Sequence, residues 1–161
     1  MTGMVETVAR TPTRLLRVPG QVLERAQSAF ERGHLKEAIE LLEEAIDMGA
    51  DSAAVRTMAG IACARVSQVD RAFAHLERAV EMAPDAFAPR CALGELHLRL
   101  CAVERGRAHL AQALENASNA AERDYVAKLL REDRAREKRR IQRPSFFKPF
   151  WSRRRPQGGD S

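Results

Sequence analysis

Residues 53–85, AAVRTMAGIACARVSQVDRAFAHLERAVEMAPD, contain two helical segments, a break between them and a proline stop. The pattern predicts a first helix over 52–65, capped by Asp51 or Ser52, whose short side-chain oxygens accept from free amides of the first turn. A second helix is predicted over 69–82, where Leu76, Ala79 and Val80 keep the spacing of one buried face. Pro84 ends it, because proline has no amide hydrogen and crowds the preceding turn. Gly60 falls in the middle of the first helix, where glycine costs about 1 kcal/mol relative to alanine. Close approach of the second helix, whose Ala72 is also small, accounts for that cost.

Working outward, the same features return at one fixed interval, the step from position 26 to 60 and from 60 to 94. Ala26, Gly60 and Gly94 form one column, and Ala38, Ala72 and Gly106 another. Leu42, Leu76 and Leu110 keep the step, as do Ala45, Ala79 and Ala113. Leu35, Val69 and Val103 follow it, with Ile46, Val80 and Leu114. Asp51, Asp85 and Asn119 add residues suited to helix caps, so Asp85 is expected to start the next helix, with Pro89 in its first turn. A helix pair cannot cover its own apolar stripe, but stacked pairs bury one continuous core.

The period and its small residues resemble the tetratricopeptide repeat. That family places a small residue in the first helix and alanine at the crossing point of the second. A large apolar residue, another alanine and a closing proline follow. The second repeat here supplies Gly60, Ala72, Leu76, Ala79 and Pro84; the third supplies Leu93, Gly94, Gly106, Leu110 and Ala113, with Ser118 for the proline. The first supplies Ala26, Gly33, Ala38, Leu42 and Ala45, with Ala50 for the proline. The family's usual aromatics are missing. The resemblance implies an all-α, right-handed solenoid of antiparallel helix pairs.

The expected organisation is a flexible basic leader over 1–18 and three repeats over 19–118, divided at 19–52, 53–86 and 87–118. A capping helix over 119–142 and a disordered basic–aromatic tail over 143–161 complete it. The chain has six Phe, one Tyr and one Trp, four of them beyond residue 145, so Leu, Ala, Val and Ile must build the core. No apolar run approaches the roughly 18 residues of a membrane span. Residues 1–20 carry Arg10, Arg14 and Arg17 without an apolar stretch of about seven residues or more, which argues against a secretory signal. Cys63, Cys91 and Cys101 are odd in number and lack CxxC spacing, as expected of reduced cysteines in a cytoplasmic protein. His97 and Cys101 lie four apart with no second ligand pair nearby, so ordinary packing outweighs a metal site. The chain has no phosphate-binding glycine loop, GxSxG or HExxH pattern, and adjacent acids such as Glu43 and Glu44 splay apart on a helix. No enzyme activity, cofactor or metal is expected.

Two surfaces are candidates for function. The resemblance implies a concave groove lined by the first helix of each repeat. Its residues here are Leu23, Gln27, Phe30 and Glu31, then Thr57, Met58, Ile61, Ala64 and Arg65, then Ala88, Cys91, Ala92, Glu95, Leu98 and Arg99. Helical spacing alone also places 61 with 65, and 91 with 95, 98 and 99. Family members that bind chaperone tails clamp a terminal carboxylate with Lys, Asn and Arg. The matching places hold Leu23, Gln27, Met58, Ala88 and Ala92, so that clamp is absent. An apolar groove with Arg65 and Arg99 at one margin suits an extended peptide or a helix with apolar anchors better than an acidic tail.

The second surface follows the repeats. Asn119 with Glu122 outlines a capping box, and Tyr125, Val126, Leu129 and Leu130 form an apolar stripe. Lys128 stands where a fourth small residue belongs, so the helix caps the stack. Residues 131–161 hold eleven Lys or Arg and four Asp or Glu, a net of +7; with +5 overall, residues 1–130 carry −2. Arg139, Arg140 and Arg143 precede Phe146, Phe147, Lys148, Phe150 and Trp151, and Arg153, Arg154 and Arg155 follow. Basic residues around clustered aromatics suit an anionic membrane surface or a protein partner better than nucleic acid. The charge run by itself reads as a solvated tail.

The reading reached from the residues is a non-catalytic protein–protein adaptor. It is expected in the cytoplasm, including the inner face of a membrane. A small secretion-type chaperone for an export substrate and a nucleic-acid-associated protein are the alternatives.

Overall fold

The structure is a computed structural model that describes residues 18–141, with side chains through 139. Residues 1–17 of the expected leader over 1–18 lie outside the described residues, as do residue 142 of the expected capping helix and the whole expected tail over 143–161. Seven helices follow in order: α1 (Pro19–Glu31), α2 (Leu35–Asp47), α3 (Ala53–Arg65), α4 (Val69–Met82), α5 (Phe87–Arg99), α6 (Val103–Glu115) and α7 (Ala120–Ile141). Helices pair as α1–α2, α3–α4 and α5–α6, and each pair touches only the next layer, ending on α7. No described helix is long and apolar enough to cross a membrane.

The first helix of each pair turns into the second through a repeated left-handed cap. Gly33, Ser67 and Cys101 occupy positive φ, at 79°, 64° and 61°, and form one further column of the repeat. In each turn this residue's N–H donates three residues back and the next N–H donates five back: Gly33 to Phe30 and His34 to Ala29, Ser67 to Ala64 and Gln68 to Cys63, Cys101 to Leu98 and Ala102 to His97. These bonds satisfy carbonyls that the helix end would otherwise leave open.

Burial separates the two kinds of helix. In α3, Val55, Thr57, Ala59, Gly60, Ala62 and Cys63 are buried around much of the circumference, because the helix lies between its own partner and the preceding pair. The Thr57 hydroxyl donates to the Ala53 carbonyl at 2.6 Å, which satisfies its burial. In α4 only Ala72, His75, Leu76 and Ala79 are buried, a single stripe of an otherwise polar helix. Leu42, Leu76 and Leu110, one column, are the bulkiest fully buried side chains. Each such leucine contributes about 1.5–3 kcal/mol by burial.

The mid-helix glycines exist for these leucines. A Cβ on Gly60 would lie 2.5 Å from Leu76 Cγ, and one on Gly94 would lie 2.8 Å from Leu110 Cγ. Layers also share residues. Ile39 of the first repeat and Leu93 and Leu96 of the third join Ala62, Cys63, Ala72 and Leu76 in one cluster.

Capping follows the expectation only in part. Ser52 Oγ accepts from the Val55 amide at 3.3 Å, whereas Asp51 is engaged by Arg56 at 2.7 and 2.8 Å. Asp85 does not start α5; Ala86 holds the N-cap position with no side-chain bond, and Asp85 is exposed. Asn119 Oδ1 accepts from the Glu122 amide at 2.9 Å, and Glu122 reaches back to the Ser118 amide at 2.7 Å.

Helix α7 buries Val126 completely and Leu129 and Leu130 in part, against the third cluster. Lys128 is exposed. Asp133, only 6% exposed, accepts from Arg107 of α6 at 2.7 and 3.0 Å, and Arg107 also reaches Glu137 at 2.9 Å. Between α4, α5 and α6, His97 lies 4.9 Å from the Phe73 ring and stacks on His109 at 5.4 Å, within 3° of parallel.

Candidate functional site

A cavity of about 260 Å³ lies between the second and third repeats. Helix α3 supplies Ile61, Ala64 and Arg65, and α4 supplies Leu76. Helix α5 supplies Phe87, Ala88, Cys91, Ala92, Glu95, Leu96 and Arg99, and Tyr125 of α7 closes one side. First helices line it because they stack directly on one another, and their alanines leave the space open. The volume falls below the roughly 300 Å³ at which small-molecule pockets begin, and accommodates a side chain of a docked segment.

Its floor is uncharged. Burial, followed by the Glu95 and Glu122 carboxylates, pushes the Cys91 thiol up to about 12, which keeps it protonated and a poor nucleophile. Burial and Glu95 push the Tyr125 hydroxyl up to about 12 as well, and this hydroxyl donates to Glu95 Oε2 at 3.0 Å. Glu95 is thereby held on the Tyr125 side. The Arg65 guanidinium lies 5.0 Å from the Phe30 ring centroid, a cation–π contact across the first two repeats. Arg99 Nη2 approaches the Ala64 carbonyl at 3.5 Å, too long for a strong hydrogen bond.

Of the residues expected in the groove, Ile61, Ala64, Arg65, Ala88, Cys91, Ala92, Glu95 and Arg99 come together at this cavity. Leu23, Phe30 and Met58 are half-buried against the first cluster instead, and Gln27 is exposed and donates to Glu31 at 3.0 Å. Leu98 does not reach this cavity. It is 6% exposed and lies over Gly106, where an added Cβ would be 2.7 Å from Leu98 Cδ2. One repeat earlier the same two places are Ala64 and Ala72. The large side chain has moved onto α5, and the facing glycine makes room for it.

Tyr125, Phe87 and Leu96 were not among the expected groove residues. Tyr125 shares the repeat column of Thr57 and Cys91, and extending that column into the capping helix would have placed it here. In the basic stretch, Arg139 is exposed and its Nε donates to the Ala135 carbonyl. The side chain of Arg140 lies outside the described residues, as do Arg143, Phe146, Phe147, Lys148, Phe150, Trp151, Arg153, Arg154 and Arg155.

A second cleft of about 580 Å³ is lined by Leu98, Arg99, Cys101, Val103, Glu104, Asp133, Arg136 and Glu137. Its charges are mixed, and Asp133 and Glu137 are already held by Arg107. Among the described residues no cluster of three or more His, Cys, Asp or Glu is arranged to hold a metal.

These features define a helix-pair solenoid with a side-chain-sized cavity on its first-helix face. Its fold is that of tetratricopeptide-repeat domains. The first such domain of human RPAP3 matches with a TM-score of 0.64 and 17% identity, over 75% of this chain and 95% of that one. The first of Spaghetti (RPAP3), bound to the HSP90 peptide SRMEEVD, matches with a TM-score of 0.62 and 17% identity, over 71% and 91%. MamA matches with a TM-score of 0.58 and 14% identity, over 76% and 80%. No family model and no curated protein sequence matches the chain.

Proposed function

We propose that this protein is a non-catalytic adaptor that holds a segment of a protein partner in the cavity between its second and third repeats. The observation that carries this reading is the cavity itself, with an uncharged floor and arginines at its margin. Apolar side chains left open at a concave surface favour docking of apolar anchors from another chain. The Spaghetti structure, which holds an HSP90 peptide, supports the same general use of the fold. The basic–aromatic stretch over 139–155 serves a second protein partner or an anionic membrane surface, and in the second case holds the cytoplasmic protein at the inner face of a membrane. Two contacts on one mount raise the effective concentration of one partner for the other.

The test is capture of partners by the full chain and by Ile61→Glu. The variant should lose its partner while its circular dichroism stays helical; retained capture removes the cavity from the reading. Co-sedimentation with anionic liposomes, with and without residues 145–155, tests the membrane arm. Absence of binding by the full chain in moderate salt rejects it.

A further inference from the structure

We propose that the segment docked in this cavity is acidic: an apolar anchor flanked by side-chain carboxylates that meet Arg65 and Arg99. This rests on the cavity being the docking site.

Glu31, Arg65, Arg99 and Asp133 form one column, keeping the repeat step at corresponding places on α1, α3, α5 and α7. The two end members are acidic, and each has a partner within the stack. Glu31 accepts from Gln27, and Asp133 is clasped by Arg107. The two middle members are arginines on the rim of the cavity. Several arginines elsewhere are neutralised by carboxylates, Arg56 by Asp51, Arg71 by Glu43 and Arg107 by Asp133 and Glu137, while Arg32, Arg90 and Arg123 meet carbonyl or amide oxygens away from the cavity. Among the described residues no carboxylate pairs with Arg65 or Arg99. Their contacts are an aromatic face and a long approach to a carbonyl oxygen. Glu95, the carboxylate in the cavity wall, is turned to Tyr125. The cavity therefore offers an occupant an apolar floor and two guanidinium groups on the neighbouring helices α3 and α5, with the one carboxylate of its wall drawn to the Tyr125 side.

That charge pattern selects the occupant. The chain's own stretch over 143–155 has five Arg or Lys and no Asp or Glu, so it would bring like charge to the rim. Neighbouring helices lie about 8–10 Å apart, and an extended chain advances about 3.3 Å per residue. Carboxylates about three residues apart therefore reach both arginines, whereas one terminal carboxylate serves only one. Guanidinium groups favour such partners because they bind carboxylates through two parallel hydrogen bonds.

A random peptide library, displayed internally so that no free terminus is offered, should be selected on the full chain. Enriched peptides are then remade with amidated ends and a fluorescent label, and their affinities are measured by anisotropy. The expected peptides carry paired acids about an apolar residue. Arg65→Glu/Arg99→Glu should weaken them about tenfold or more and favour their lysine-substituted counterparts. Ile61→Glu, and Ala88→Trp on the exposed lip, should also abolish their binding. Peptides that need the cavity but lack acids, or that ignore the double reversal, overturn the acidic assignment and leave the docking site standing. If no peptide distinguishes the parent from both cavity variants, both readings fall.

Discussion

Gly60→Ala tests the packing that defines the stack, because two effects of opposite sign meet at one atom. Helix propensity alone favours alanine by about 1 kcal/mol. The added Cβ, however, would lie 2.5 Å from Leu76 Cγ, 2.7 Å from Leu76 Cδ2 and 3.3 Å from the Ala72 carbonyl oxygen. Carbon atoms rest about 3.5–4.0 Å apart, so Leu76 must retreat by about 1 Å. It has little room, being 1% exposed and packed in the second cluster. The carbonyl contact limits rotation of α4 as an escape. Overpacking of this kind costs about 1–3 kcal/mol, here nearer the upper end. The expected net effect is a loss of about 1–2 kcal/mol. The assay is urea unfolding followed by circular dichroism, in which the midpoint should fall with the slope unchanged. Leu76→Ala alone should cost about 2–5 kcal/mol. The double variant should lose less than the sum by about 1–2 kcal/mol, because the new methyl fills part of the space left by the leucine. A Gly60→Ala protein as stable as the parent, or more so, refutes the close-approach account.

Other outcomes follow from the caps, the turns and the buried imidazoles. Ser52→Ala should cost about 1 kcal/mol, and Asp85→Ala almost nothing, because Ser52 alone of the two caps a helix; equal losses in thermal unfolding contradict the assignment. Ser67→Gly should stabilise by about 0.5–1 kcal/mol by relieving a left-handed residue that bears a side chain, and a lower melting temperature argues against strain there. Burial holds His97 and His109 below histidine's ordinary 6.5, with Arg105 adding to the effect at His97, His97 and Arg90 adding to it at His109, and Glu77 opposing both. The unfolded chain therefore takes up protons that the folded one refuses, so this contribution is complete above pH 6.5 and lost as pH falls below it. His97→Gln/His109→Gln should flatten the decline in stability between about pH 7.5 and 5.5, and an unchanged slope rejects the buried pair as its source.

The repeats were legible because their packing is written twice, once in each neighbour. Gly60 and Gly94 announced a close crossing, and Leu76 and Leu110 fill it. What escaped was compensation between columns. Leu98 reads as a groove residue by position, and only the pairing with Gly106 shows that its volume belongs to the core. The left-handed turns escaped for a related reason. Gly33 signals one, but Ser67 and Cys101 adopt the same conformation because the flanking helices impose it. Half of the expected groove residues converge on the cavity, and the wall formed by Tyr125 was hidden because that residue also fits a plain apolar stripe.

The cavity's position has a mechanical consequence. In a stack where each layer leans only on its neighbours, bending is concentrated at the joints between layers. The cavity sits on such joints, drawing its walls from α3, α4, α5 and α7. A guest seated there acts as a splint, and part of its binding free energy becomes resistance to flexing. The occupied molecule would hold its curvature as a stiffer arc, and its two ends would keep a more constant separation than in the empty one.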